Sequence, residues 1–162
     1  MGAAEPPALA GYDPAMAADL NPDRGRSARV PRVLLVDDSA AMRAVVRGLL
    51  EDAGMLVVGE AADGLDGIDQ AQALRPDVVV MDWRMPQLDG LQATARLRQL
   101  LPQVRVVMFS VVEWEQAETV AREAGAAAFV HKGVAPEQVC AAVWAAWQSP
   151  PPGAGPSLVR GD

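Results

Sequence analysis

Val78, Val79, Val80 and Met81 form a continuous apolar run, with Pro76 just before it and Pro86 shortly after. Four β-branched or long apolar residues with no polar alternation read as a strand buried on both faces, as in a parallel sheet. The run stops at Asp82, which predicts a carboxylate at the carboxyl end of a central strand. Open α/β sheets bind their ligands at that edge.

Four further apolar runs repeat this design. Val33-Leu34-Leu35-Val36 ends in Asp37-Asp38, Met55 to Val58 forms another strand, Val104 to Phe109 ends at Ser110, and Ala127 to Val130 ends at His131-Lys132. Helical periodicity separates them. Ser39 is a candidate cap for a helix carrying Met42, Val45, Val46, Leu49 and Leu50, closed by Gly54. Helices are also predicted at 64–74 (Leu65, Ile68, Ala71 and Leu74 inward), from 88 or 89 to Pro102 (Leu91, Thr94, Ala95, Leu97 and Leu101 inward), and at 114–124. Pro136 opens a last helix to about Gln148. Five strands alternating with five helices predict a three-layer α/β fold, doubly wound around a five-stranded parallel sheet.

The ends of a parallel sheet's strands share one edge, so Asp37, Asp38, Asp82, Ser110 and Lys132 converge if the first, third, fourth and fifth strands are neighbours. Two carboxylates ~4 Å apart repel by roughly 4 kcal/mol at an effective dielectric near 20. A hard divalent cation relieves that repulsion, and an all-oxygen site suits Mg²⁺. With a hydroxyl and a lysine added, the set suits phosphoryl transfer, with Asp82 as nucleophile. Lys132 is the only lysine in the chain, every other cationic side chain being arginine.

The segments VLLVDDS, DVVVMDWRMPQLDG, VVMFS and AFVHK resemble the receiver domain of two-component response regulators, of the chemotaxis and LuxR types. The resemblance covers about residues 30–148 and implies a flavodoxin-like (βα)5 fold. It implies that Asp37 and Asp38, with Asp82 and the backbone carbonyl of Arg84, hold Mg²⁺. Asp82 would be the phosphoacceptor, Lys132 its phosphate partner, Ser110 the switch hydroxyl and Phe129 the rotating aromatic. The implied partners are a histidine kinase or phosphotransfer protein and a downstream protein, with no enzymatic activity beyond self-phosphorylation and slow self-dephosphorylation. Two departures stand out. Gly133 replaces the proline often found after the lysine, which predicts a trans peptide, because a cis bond before a non-proline costs roughly 3 kcal/mol. Val111 is branched where many relatives carry a smaller residue, which predicts slow dephosphorylation.

Other readings are narrower. A haloacid-dehalogenase-type phosphatase wants two aspartates one residue apart after the first strand, not adjacent ones, and a receiver-like scaffold would not need the whole residue set. His131, standing alone beside a loop, reads as exposed and without a role. On the last helix, Cys140, Trp144 and Trp147 form a second apolar line beside Val139, Val143 and Ala146. That line is a candidate partner or homodimer surface around Trp144 and Trp147.

Composition sets the bounds. With 162 residues, one domain with a leader (1–29) and a Pro/Gly-rich tail (149–162), both disordered, is expected. A net charge of −7 argues against non-specific nucleic-acid binding. One cysteine excludes an internal disulfide, and no run is long and apolar enough to span a membrane. A soluble, cytoplasmic protein whose output is borne by protein contacts is the expectation.

Overall fold

The computed structural model describes residues 29–133 and 137–150. The leader through residue 28, Pro136, and the tail from residue 151 lie outside the described residues. Five strands, β1 (Arg32–Val36), β2 (Leu56–Ala61), β3 (Val78–Met81), β4 (Arg105–Ser110) and β5 (Ala128–His131), alternate with five helices. These are α1 (Ala40–Asp52), α2 (Gly64–Leu74), α3 (Gly90–Leu100), α4 (Ala117–Ala124) and α5 (Gln138–Gln148). All strand pairs are parallel, in the order β2-β1-β3-β4-β5.

Alternation along each strand divides the core into two layers. Leu34, Val36, Val79, Met81, Val106 and Met108 face Ile68 and Ala71 of α2, Ala93 and Leu97 of α3, and Ala117 and Ala121 of α4. Val33, Leu35, Val78, Val80, Val107 and Phe109 face Val46 and Leu50 of α1 and Val139, Cys140, Val143 and Ala146 of α5. Every residue of β3 is buried, as a strand covered on both faces must be. The doubly wound fold expected from the sequence is present.

The chain starts at β1, moves outward to β2, then crosses back to β3 on the other side. That reversal opens a crevice between the carboxyl ends of β1 and β3, where such sheets take ligands. Register fixes what lines it. Val36 pairs with Met81, so Asp37 and Asp82 leave the sheet side by side, with the Asp82 amide donating to the Val36 carbonyl at 2.8 Å.

Several details differ from expectation. Helix α4 starts at Ala117 rather than Trp114, since Gln116 supplies no capping side chain and Trp114 turns away to an aromatic contact. Leu65, Ala95 and Val45 are exposed instead of inward; each sits about 100° round its helix from the buried stripe. Cys140 is buried, its thiol donating to the Leu49 carbonyl, so it lies inside the α1–α5 contact and not on an open apolar line. Gly54 ends α1 with φ +85°, the left-handed conformation expected of it. No helix among the described residues is long and apolar enough to cross a membrane.

Candidate functional site

Asp37 is pinned at both oxygens. Its Oδ1 accepts from the Ser39 amide at 2.8 Å, forming the turn that leads into α1, and its Oδ2 accepts from Lys132 Nζ at 2.6 Å. Ser39 caps α1 through its hydroxyl, accepting from the Met42 amide. Asp38, next in the chain, is exposed. Asp82 is buried, and its Oδ1 accepts from the Trp83 amide at 2.8 Å. Lys132 Nζ lies 3.5 Å from the same oxygen, which leaves Asp82 Oδ2 with no hydrogen bond among the described residues. The carboxylates of Asp37, Asp38 and Asp82 each offer an oxygen within 4.8 Å of the others.

Lys132 reaches the cluster because β5 delivers it there: its amide donates to the Ser110 carbonyl at 2.8 Å, extending the β4–β5 ladder past Ser110 and His131. The ammonium lies 5.6 Å from the centre of the Phe109 ring and is nearly buried. Burial pushes the Asp82 carboxyl above its ordinary pKa; Lys132 pulls it down and the charge of Asp37 raises it further. A single cation thus serves two buried carboxylates, and a deficit of positive charge remains.

Oxygen donors only, three acids and a charge deficit fit a hard divalent cation such as Mg²⁺. Asp38 provides the solvent-facing side of that set. The Arg84 residue lies in the exposed part of the loop after β3.

The loop from Asp82 to Gly90 is shaped by close backbone approach. The Gly90 amide donates to the Trp83 carbonyl at 2.7 Å, and Asp89 caps α3 through the Gln92 amide. A Cβ on Gly90 would stand 1.8 Å from the Asp82 carbonyl oxygen, so only glycine lets α3 begin against the strand that ends in Asp82. Ser110 is fully buried at the end of β4, with its Oγ 3.4 Å from the Val112 amide. Phe129 is half-buried and meets the Trp83 ring edge-on at 6.3 Å, and Trp83 meets Trp114 at 5.7 Å. Trp144 and Trp147 form a separate edge-to-face pair on α5 at 5.4 Å, half-buried against the layer that includes Met42 and Leu49.

The structure therefore brings Asp37, Asp38, Asp82 and Lys132 together, with Ser110 and Phe129 on the flanking strands. Trp144 and Trp147 lie on α5, covering the opposite face of the sheet from Phe129. Two residues escaped the reading of the sequence. Arg43 donates to the Asp37 carbonyl and, through Nε, to Glu60 at 3.1 Å, bracing the β1–α1 turn from within the helix. Its place four residues after the Ser39 cap, facing back to the turn, is the signal that could have found it. His131 is not exposed: it is half-buried and bonded to two loops.

The description "response regulator receiver domain" matches residues 33–144. This chain belongs to that family. It is 39% identical over 112 residues to the response regulator UvrY of Escherichia coli K12, covering 68% of this chain and 51% of that protein. It is 44% identical over 106 residues to a protein-glutamate methylesterase/protein-glutamine glutaminase of Geobacter sulfurreducens, covering 64% of this chain but 29% of that protein. The receiver thus spans about half or less of these curated relatives. Among solved structures, the response regulator domain of Thermotoga maritima CheB superposes with a TM-score of 0.70 at 35% identity, covering 76% of this chain and all of that one. The receiver of a putative Mycobacterium tuberculosis NarL gives a TM-score of 0.71 at 32% identity, covering 75% and 99%.

Proposed function

We propose that this receiver takes a phosphoryl group from a phosphohistidine on a histidine kinase or phosphotransfer protein, with Asp82 as acceptor. The observation that carries the reading is the Asp82 carboxylate itself. It stands at the end of β3, one oxygen fixed by the Trp83 amide and Lys132, the other unengaged, inside a three-aspartate cluster. The free oxygen attacks phosphorus, the phosphorus–nitrogen bond breaks, and its electron pair leaves with the imidazole, which takes up a proton. Lys132 meets charge on the phosphoryl oxygens, and Asp37 holds Lys132 in place for that role.

Asp37, Asp38, Asp82 and the Arg84 carbonyl would hold Mg²⁺, which when bound supplies charge neutralisation at the acids and the phosphoryl group. A solved CheX–CheY–BeF₃–Mg²⁺ complex of Borrelia burgdorferi contains a chain 26% identical to this one, with a TM-score of 0.67. Phosphorylation adds about −1.5 to −2 charge at the sheet edge. The buried Ser110 hydroxyl is the donor placed to follow that charge, and Phe129, beside it on β5, takes the freed space. The change then reaches an open cleft of about 410 Å³ lined by Trp114, Glu118, Phe129 and Gln138, the surface offered to a downstream protein. The Trp144–Trp147 pair on α5 is a second surface for phosphorylation-dependent association.

Incubation with a small phosphodonor such as acetyl phosphate, in the presence of Mg²⁺, tests the reading by intact mass. One added phosphoryl group that chelation prevents and Asp82→Asn abolishes is the expected result. An unmodified mass, or modification that survives Asp82→Asn, would overturn it.

A further inference from the structure

The chain's one histidine occupies an arrangement that the site described so far does not use. His131 ends β5, immediately before Lys132, and pairs in register with Ser110. Its Nδ1 accepts from the Gly133 amide at 2.9 Å. An imidazole nitrogen that accepts carries no proton, so the neutral ring bears its hydrogen on Nε2. That nitrogen is hydrogen-bonded to the Val111 carbonyl at 3.3 Å and lies 3.2 Å from Glu113 Oε1. One ring thereby ties the turn carrying Lys132 to the segment that follows Ser110.

Gly133 belongs to the same device. A Cβ there would stand 2.7 Å from His131 Cε1 and 2.8 Å from Nδ1, so a side chain at this position would displace the imidazole. Proline would remove the amide hydrogen that Nδ1 accepts as well. The glycine after the lysine and the histidine before it make one structural unit: each permits the other.

We propose that His131 and Gly133 form a latch that holds residues 111–113 in their resting position and sets how readily the Ser110 segment moves toward an occupied Asp82; this rests on the phosphoacceptor reading above. Val111 is 60% exposed and Glu113 is exposed too, while Val112 between them is buried in the core layer that includes Ala117 and Ala121, so the ring acts on the two outward-facing residues of the segment. Ser110 Oγ accepts from Val112 at 3.4 Å, so reorienting the hydroxyl and releasing the segment are coupled. His131 touches neither Asp82 nor the acid cluster among the described residues; it is a positioning residue.

Two measurements on the full chain test the latch. Long-range ¹H–¹⁵N spectra of the unliganded protein, at mildly alkaline pH, read the tautomer directly. The hydrogen on Nε2 is expected, and a hydrogen on Nδ1 would overturn the latch. Beryllofluoride titration at saturating Mg²⁺ then reads its consequence. His131→Leu should tighten the apparent affinity about fivefold, the effect of one net hydrogen bond lost from the resting state. Mg²⁺ affinity should stay unchanged, and His131→Gln, which can again donate to the Val111 carbonyl, should return toward the wild-type value. An unchanged or weaker beryllofluoride affinity in His131→Leu would refute the proposal. If the wild-type protein ignores beryllofluoride, the phosphoacceptor reading fails while the tautomer still decides the arrangement of the ring.

Discussion

Lys132 is the residue on which the site's electrostatics turn. It contacts Asp37 at 2.6 Å and Asp82 at 3.5 Å, and no other cation reaches both carboxylates among the described residues. Lys132→Ala should therefore raise the Asp82 pKa further and destabilise the fold at neutral pH by about 3 kcal/mol, the cost of leaving buried charge unpaired. Thermal unfolding with and without Mg²⁺ checks this: the deficit should narrow when the metal is added. Asp82→Asn should act in the opposite sense. Burial raises the pKa of this carboxyl, so the folded protein holds its proton more tightly than the unfolded chain does. The stability that this supplies is complete below the ordinary carboxylate range and is lost as pH rises through the folded value. At neutral pH the asparagine variant, free of that loss and with Lys132 still paired to Asp37, should melt above the wild type. Toward acid pH the gap should close. Val111→Ala, which trims an exposed side chain beside Ser110, should speed dephosphorylation severalfold while leaving the phosphorylation rate unchanged; equal decay rates would remove any role for its bulk.

At the scale of elements, the junction of β3 and α3 is the least tolerant part of the molecule. Gly90→Ala forces a methyl group into the Asp82 carbonyl, and backbone rather than a flexible side chain must yield. It should lower stability by ~2 kcal/mol or more in denaturant titration and impair Mg²⁺ binding. Leu97→Ala, in the fully buried heart of the layer between α3 and the sheet, should cost ~2–5 kcal/mol yet leave ligand affinity intact in the folded fraction. The same scale shows what could be read from the residues in advance. Strand β3 was legible because Val78 to Met81 are apolar without interruption, and its abrupt end placed Asp82 at the sheet edge. The acid cluster followed on the condition that the first and third strands are neighbours, which the strand order meets. The start of α4 was not legible, because Trp114 has a helix-compatible spacing but is drawn to the Trp83 ring, a contact 31 residues back in the chain. His131 read as idle for the same reason: its partners Val111 and Glu113 lie on the neighbouring strand's loop, and no local pattern announces them. Leu65 and Ala95 show the limit of periodicity, which gives the buried stripe but not its edges.

Across the whole molecule, arginine and lysine meet different kinds of acceptor. Three aspartates gather where β1 and β3 end. Three arginines brace the opposite edge: Arg32 donates to the Leu74 and Arg75 carbonyls at the end of α2, Arg98 to Glu123 at the end of α4, and Arg105 to Ser149 after α5. Forked guanidinium groups suit paired carbonyls at helix C-termini, where the backbone dipole also favours positive charge. A compact ammonium suits the acid pocket, where one point charge serves two carboxylates. Because a cation at the acid cluster stabilises only the folded chain, Mg²⁺ at a hundred times its dissociation constant should add about 2.7 kcal/mol to stability. Asp37→Asn should remove most of that gain.

The central claim is that Asp82 sits in a working phosphoryl pocket coupled to the aromatic residues beside it. Trp83 follows Asp82 directly and contacts both Trp114 and Phe129, so its fluorescence reports on that coupling. The decisive measurement is a tryptophan fluorescence titration with Mg²⁺ followed by beryllofluoride, in the wild type and in Asp82→Asn. A Mg²⁺-dependent change that saturates with beryllofluoride in the wild type and is absent from the variant is the predicted result. Fluorescence that responds to neither ligand, or a beryllofluoride response that persists without the Asp82 carboxylate, would contradict it.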